Sequence, residues 1–150
     1  MTEREGSAVP FPPPPSSKAE LEEGRAFAPA FDSAGLIPAI VTGVNGAVLM
    51  FAHMNAEALR LTLETGEAHF WSRSRQSLWR KGETSGNRLR VEEIRTDCDQ
   101  DVFWIRVRLL GEAVCHTGRR SCFYRRIKAV EGTAVLEFVE DSEPAKVEIG

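Results

Sequence analysis

All three cysteines of this chain, and three closely spaced aspartates, fall within residues 97–122: Asp97-Cys98-Asp99-Gln100-Asp101, then Cys115, then Cys122. Carboxylates suit magnesium and thiolates suit zinc, so the interleaving asks for metal chemistry of two kinds. If residues 97–101 are extended, alternate side chains point to opposite faces. Asp97, Asp99 and Asp101 then share one face and Cys98 takes the other. One chain supplies at most three thiolate sulfurs. Structural zinc sites fill four positions, whereas catalytic ones keep one for water. Three cysteines therefore lean toward a catalytic zinc, unless His116 is the fourth ligand. His116 adjoins Cys115 and faces away from it in an extended segment. The competing reading is three buried, reduced cysteines beside a solvated acidic turn, because the usual paired-cysteine zinc spacings are absent.

A thiolate-held zinc with an open position lowers the pKa of bound water toward ~7. The resulting hydroxide attacks electron-poor carbons, C6 of a purine ring among them. His116 is the best-placed residue to move the proton, with His53 and His69 as competitors. Arg73, Arg75, Arg80 and Lys81 cluster in one polar stretch, and Arg119 and Arg120 lie between two cysteines. Guanidinium forks match phosphate oxygens. Thr84, Ser85 and Gly86 add hydroxyls and accessible backbone for a phosphate. An ordinary solvated charged loop is the plainer account of the same residues. Trp71 or Trp79 could stack on a base, although core packing is the default for either.

These groups need a scaffold. A chain of 150 residues suits one domain with a real core. A net charge of −3 argues against a nucleic-acid binder. An odd cysteine count without a secretory signal points to a reducing cytoplasm, and no apolar run approaches a membrane span. Residues 1–30 read as a disordered proline-rich extension with room for a helical turn over Lys18–Gly24, residues 31–140 as the domain, and 141–150 as a tail.

Leu36–Thr42 and Val48–His53 read as strands joined at Asn45-Gly46, a strong hairpin signal. Asn55 caps a helix over Ala56–Glu64 that Gly66 stops, with Leu59 and Leu63 on its inner face. Ala68–Ser72 is a strand. Arg73–Arg90 is polar and long for a loop without a job. Val91–Asp97 is extended, and Val102–Leu110 alternates as a half-buried strand. Phe123–Val130 is strand or short helix, and Ala134–Val139 is a last strand. The total of roughly six or seven strands and one clear helix predicts an α+β, mostly β, compact single domain.

Several of these segments, in this order, closely resemble the phosphoribosyl-AMP cyclohydrolase family. They are Gly35-Leu36-Ile37-Pro38-Ala39, Met54-Asn55-x-Glu57-Ala58-Leu59, His69-Phe70-Trp71-Ser72-Arg73-Ser74-Arg75, Leu78-Trp79, Lys81-Gly82-Glu83-Thr84-Ser85-Gly86, Asp97-Cys98-Asp99-x-Asp101 and Cys115-His116-Thr117-Gly118-Arg119-Arg120-Ser121-Cys122-Phe123-Tyr124. The similarity spans about residues 31–127.

The resemblance implies a cytoplasmic enzyme of histidine biosynthesis that hydrolytically opens the adenine ring of phosphoribosyl-AMP between N1 and C6. It implies an obligate homodimer whose zinc is held by cysteines of both subunits, matching Cys98, Cys115 and Cys122. It implies magnesium on Asp97, Asp99 and Asp101. The substrate phosphates would then be met by that magnesium and by basic and hydroxyl residues among Arg73, Arg75, Lys81, Thr84, Ser85, Arg119 and Arg120, with His116 as proton carrier. A small nucleotide is the expected partner, with no nucleic acid and no membrane.

The chain departs from the family at Asn87, where histidine is common, and at His53, where an aromatic residue is common. Some relatives carry a fused pyrophosphohydrolase domain, for which this length leaves no room, so a single activity is expected. Two other readings stand beside this one: another zinc-dependent nucleotide or nucleobase hydrolase, and a zinc-stapled binding module. Zinc deaminases carry His-x-Glu or Cys-x-Glu ahead of Pro-Cys-x-x-Cys, and neither occurs here.

Overall fold

The computed structural model describes residues 11–139. Among them lie two helices, α1 (Lys18–Glu23) and α2 (Ala56–Thr65), and eight strands. The strands are β1 (Ile37–Gly43), β2 (Val48–Met54), β3 (His69–Ser72), β4 (Ser77–Arg80), β5 (Arg88–Thr96), β6 (Phe103–Leu110), β7 (Arg125–Val130) and β8 (Thr133–Phe138). The fold is mostly β, as expected. No helix among the described residues is long and apolar enough to cross a membrane.

Six strands form one sheet in the order β4-β3-β2-β1-β6-β5, and β7 pairs with β8 as a separate hairpin. β1 runs parallel to β6, and the other pairs are antiparallel. The sheet curls. Ala68 N–H donates to the Leu89 carbonyl, Val91 N–H to the Gly66 carbonyl and Lys81 N–H to the Ala68 carbonyl. These bonds draw β5 toward the start of β3 and bring Lys81 inward.

The core lies against one face of this sheet. Ile37, Ala39 and Val41 of β1 alternate inward, as do Phe103, Ile105 and Val107 of β6. Met50, Met54, Leu59, Phe70 and Leu89 complete it. Full burial of each large apolar side chain is worth about 1.5–3 kcal/mol.

The β1–β2 hairpin turns at Asn45-Gly46, with Gly46 at φ 91°. On α2, the Asn55 side chain accepts from Ala58 N–H at 2.8 Å, and Gly66 closes the helix in the left-handed region. The inner face of α2 is Ala58, Leu59 and Thr62, whereas Leu63 is 54% exposed, contrary to the expected Leu59/Leu63 pair. Thr62 can face inward because its hydroxyl donates to the Ala58 carbonyl and accepts from His69 N–H.

The stretch Arg73–Arg90 is not one loop. It holds β4 and the start of β5, joined to β3 through the turn Arg73–Gln76. The Phe70 and Trp79 rings, 5.3 Å apart, pack this short hairpin.

Part of the expected N-terminal extension lies against the sheet. Phe11 packs on Phe27 at 5.5 Å, Phe27 on Phe103 at 6.0 Å, and Ala28 is buried. The first ten residues and the tail 141–150 lie outside the described residues.

Candidate metal centre

Residues 97–101 are a turn between β5 and β6, not an extended segment with two opposite faces. Gln100 N–H donates to the Asp97 carbonyl at 3.1 Å, and Asp101 N–H to Asp97 Oδ1 at 3.0 Å. Gln100 takes a left-handed φ of 57° to close the turn. The chain reversal, rather than strand alternation, brings the carboxylates together. One oxygen each from Asp97, Asp99 and Asp101 lies within 4.8 Å of the others.

Three exposed carboxylates so close cannot all ionise freely. The Asp99 side chain, then burial and Asp97, push Asp101 up to about 6. Burial opposes ionisation of Asp97, but the Asp101 N–H and the neighbouring side chains outweigh it and hold Asp97 below the usual range. An oxygen-only donor set of this kind suits magnesium.

A second centre sits in the β6–β7 loop. Val114 and Cys115 N–H both donate to the Arg119 carbonyl, at 3.0 and 2.9 Å, and Gly118 N–H returns to the Cys115 carbonyl. Cys122 N–H donates to the Leu49 carbonyl at 2.7 Å and Ser121 Oγ to the Val48 carbonyl at 2.8 Å, which ties the loop to β2. The Thr117 hydroxyl donates to Cys115 Sγ at 3.1 Å. Burial works against a Cys115 thiolate, but bonds from Thr117 and Cys122 and the charge of Lys81 leave its pKa below the ordinary thiol value. Cys122 is pushed up to about 11 by partial desolvation and then by Cys115, although some of the residue meets solvent. Of the two thiols, Cys115 is therefore the one that gives up its proton more readily, and soft sulfur donors suit zinc.

Lys81 is part of this second centre. Its Nζ donates to the Val114 carbonyl at 2.5 Å, and burial lowers its pKa despite the two thiols. Cys98 is exposed on the aspartate turn. Among the described residues, the aspartates are the one group of three whose metal-ligating atoms converge, so Cys98 does not meet Cys115 and Cys122 within a single chain.

The remaining expected site residues are spread over neighbouring loops. Arg73 and Arg75 lie exposed in the β3–β4 turn, and Thr84 and Ser85 lie exposed in the β4–β5 loop. Arg119 stacks over Tyr124 at 4.1 Å and Phe138 at 5.2 Å, while Arg120 and His116 are exposed. His53 is partly buried and meets Phe51 edge-on at 5.2 Å.

Asn87 is a structural clasp. Its Oδ1 accepts from Glu112 N–H at 3.1 Å, and a Cβ on Gly111 would come within 2.2 Å of that oxygen. Thr117 and Gln100 carry roles that residue type and spacing did not assign to them. The Cys115-x-Thr117-Gly118 order carries a serine/threonine-turn signal that points to the first.

A family model described as phosphoribosyl-AMP cyclohydrolase matches residues 50–124. The phosphoribosyl-AMP cyclohydrolase of Mesorhizobium japonicum is 61% identical over 132 residues, covering 87% of this chain and 86% of that protein. The enzyme of the same name from Brucella canis is 59% identical over 135 residues, covering 89% and 97%. That from a Chelativorans species is 60% identical over 134 residues, covering 88% and 96%.

Proposed function

Because the chain belongs to the phosphoribosyl-AMP cyclohydrolase family, we propose that it opens the adenine ring of phosphoribosyl-AMP by adding water across the N1–C6 bond, a step of histidine biosynthesis. The observation that carries this reading is the convergence of Asp97, Asp99 and Asp101 on a turn that also bears Cys98, with a thiol pair held elsewhere on the chain.

Cys115 and Cys122 of one chain, with Cys98 from a second copy, would hold zinc. The separation of Cys98 from the other two thiols supports a shared site of this kind. The β7–β8 hairpin supports a second copy as well. Ile127, Leu136 and Phe138 lie on one face of it and are 77%, 55% and 56% exposed. A lone two-stranded hairpin is marginal in water, and a partner surface would cover that face.

Bound at these residues, zinc supplies a Lewis acid that makes water nucleophilic near neutrality, and magnesium on the aspartates supplies charge for phosphate oxygens. The chain's own side chains do the rest. Thr117 and Lys81 favour the Cys115 thiolate. Arg73, Arg75, Arg119, Arg120, Thr84 and Ser85 bind the substrate phosphates, and this remote binding fixes the ring and lowers the entropic barrier. Lys81, spent on the Val114 carbonyl, serves the cysteine loop first. His116, exposed beside Cys115, carries a proton to N1 as the C6–N1 bond breaks.

The test pairs metal analysis with an absorbance assay on phosphoribosyl-AMP. Cys115→Ser should lose both zinc and turnover, and the wild-type reaction should release no ammonia. Full turnover by a metal-free C115S preparation would refute the reading.

A further inference from the structure

We propose that Gln100 is a positioning residue, through which the N-terminal segment braces the aspartate turn for its cation. The inference rests on the reading that Asp97, Asp99 and Asp101 take a divalent ion. Gln100 stands between two exposed aspartates yet is only 7% exposed. Its side chain turns away from the carboxylates and into the N-terminal segment. Oε1 accepts from Ala28 N–H at 2.9 Å, and Nε2 donates to the carbonyls of Leu21 at 3.2 Å and Ala26 at 3.4 Å. Its own carbonyl accepts from Ala30 N–H at 2.8 Å. One residue thus satisfies backbone groups from four residues of that segment.

The backbone geometry sharpens the point. A φ of 57° suits glycine or asparagine far better than glutamine. Glycine would relieve the strain but forfeit every side-chain bond to the segment. The same segment also holds the strand that leaves the turn, since Phe27 packs on Phe103, the first residue of β6. Phe11 in turn packs on Phe27 and Phe31. The carboxylates repel one another, and a turn anchored at Gln100 and at the strand that follows resists splaying. Docking of the segment and cation binding are therefore linked, and linkage is reciprocal.

The experiment uses the full chain, magnesium chloride and trypsin, which cuts after the exposed Arg25 inside the braced segment. In wild type, magnesium should slow cleavage after Arg25 and raise the melting temperature. Gln100→Gly keeps a compatible backbone and removes the amide. It should weaken magnesium binding by about fivefold or more, shrink the magnesium-induced rise in melting temperature, and leave Arg25 cleavage nearly insensitive to magnesium. A purely structural role would lower the melting temperature equally with and without magnesium. That outcome, or a magnesium affinity within twofold of wild type, overturns the brace while leaving the metal reading intact. Wild type showing no magnesium binding overturns both.

Discussion

Lys81 Nζ donates to the Val114 carbonyl at 2.5 Å, fixing an ammonium from the β4–β5 loop beside the loop that carries Cys115 and Cys122. Cys115 feels that charge, and it feels the Thr117 hydroxyl at 3.1 Å more strongly. Both favour the thiolate against the cost of burial. In metal-free protein, Thr117→Val and Lys81→Met should each move Cys115 alkylation by iodoacetamide to higher pH, with the valine variant moving further. At pH 7 the rate should fall about threefold or more for T117V. Superimposable pH profiles for the three proteins would remove Thr117 and Lys81 from any role in tuning the thiol.

The aspartate turn makes a prediction with a definite sign. Asp101 is raised to about 6 by Asp99 first. A carboxyl whose folded pKa is raised contributes its stability below the unfolded value of about 3.9 and loses it as pH climbs through the folded value. Asp97, held low, contributes the opposite sense over a more acidic range. Above pH 6 the metal-free turn is therefore under repulsion that a divalent cation relieves. The magnesium-induced rise in melting temperature should be larger at pH 7.5 than at pH 5.5. Asp101→Asn should abolish that rise and lift the metal-free melting temperature by about 1–3 °C, modest because the carboxylates are exposed. A rise equal at both pH values would contradict the coupling.

On α2, two leucines one turn apart have different fates. Leu59 is 1% exposed and packs in the core, while Leu63 is 54% exposed. Leu59→Ala should cost about 2–5 kcal/mol and Leu63→Ala under about 1 kcal/mol, read from urea unfolding. A loss at Leu63 as large as at Leu59 would mean that another surface covers this helix in solution.

That contrast shows where the sequence was legible. Asn55, Gly66 and Asn45-Gly46 act through local backbone chemistry, and the helix ends and hairpin fall where their residue types require. The alternation of Phe103, Ile105 and Val107 with Trp104, Arg106 and Arg108 also reads directly as one buried face. Leu63 could not be separated from Leu59 in this way, because the inward place goes to a threonine whose hydroxyl finds partners at Ala58 and His69. β4 was hidden for a similar reason. Ser77-Leu78-Trp79-Arg80 is short, with only two apolar residues and no alternation, and its strand character comes from pairing with β3. The aspartates were identifiable as a carboxylate cluster from spacing alone, but Gln100, which closes the turn that gathers them, bonds residues far away in the chain. No local pattern encodes that reach. Likewise, the spacing of Cys98, Cys115 and Cys122 marks three candidate ligands without revealing that Cys98 does not meet the other two within one chain.

His53 provides the last prediction. It lies on β2 opposite Pro38 and Trp71, edge-on to Phe51. Burial first, and the Arg73 charge second, depress its pKa, while Asp32 pulls the other way. The folded chain therefore resists a proton that the unfolded chain accepts below about pH 6.5. The histidine's stability contribution is complete above that value and is lost as pH falls through the depressed folded pKa. His53→Phe, which retains an aromatic ring beside Phe51, should flatten the acid side of the stability profile, so that the urea midpoints at pH 5.5 and 7.5 draw closer together. Arg73→Gln should move the His53 ring titration, followed by NMR, upward toward its ordinary value. A wild-type titration at or above pH 6.5 would contradict the depression itself, and an R73Q profile unmoved from wild type would show that Arg73 does not act on this histidine.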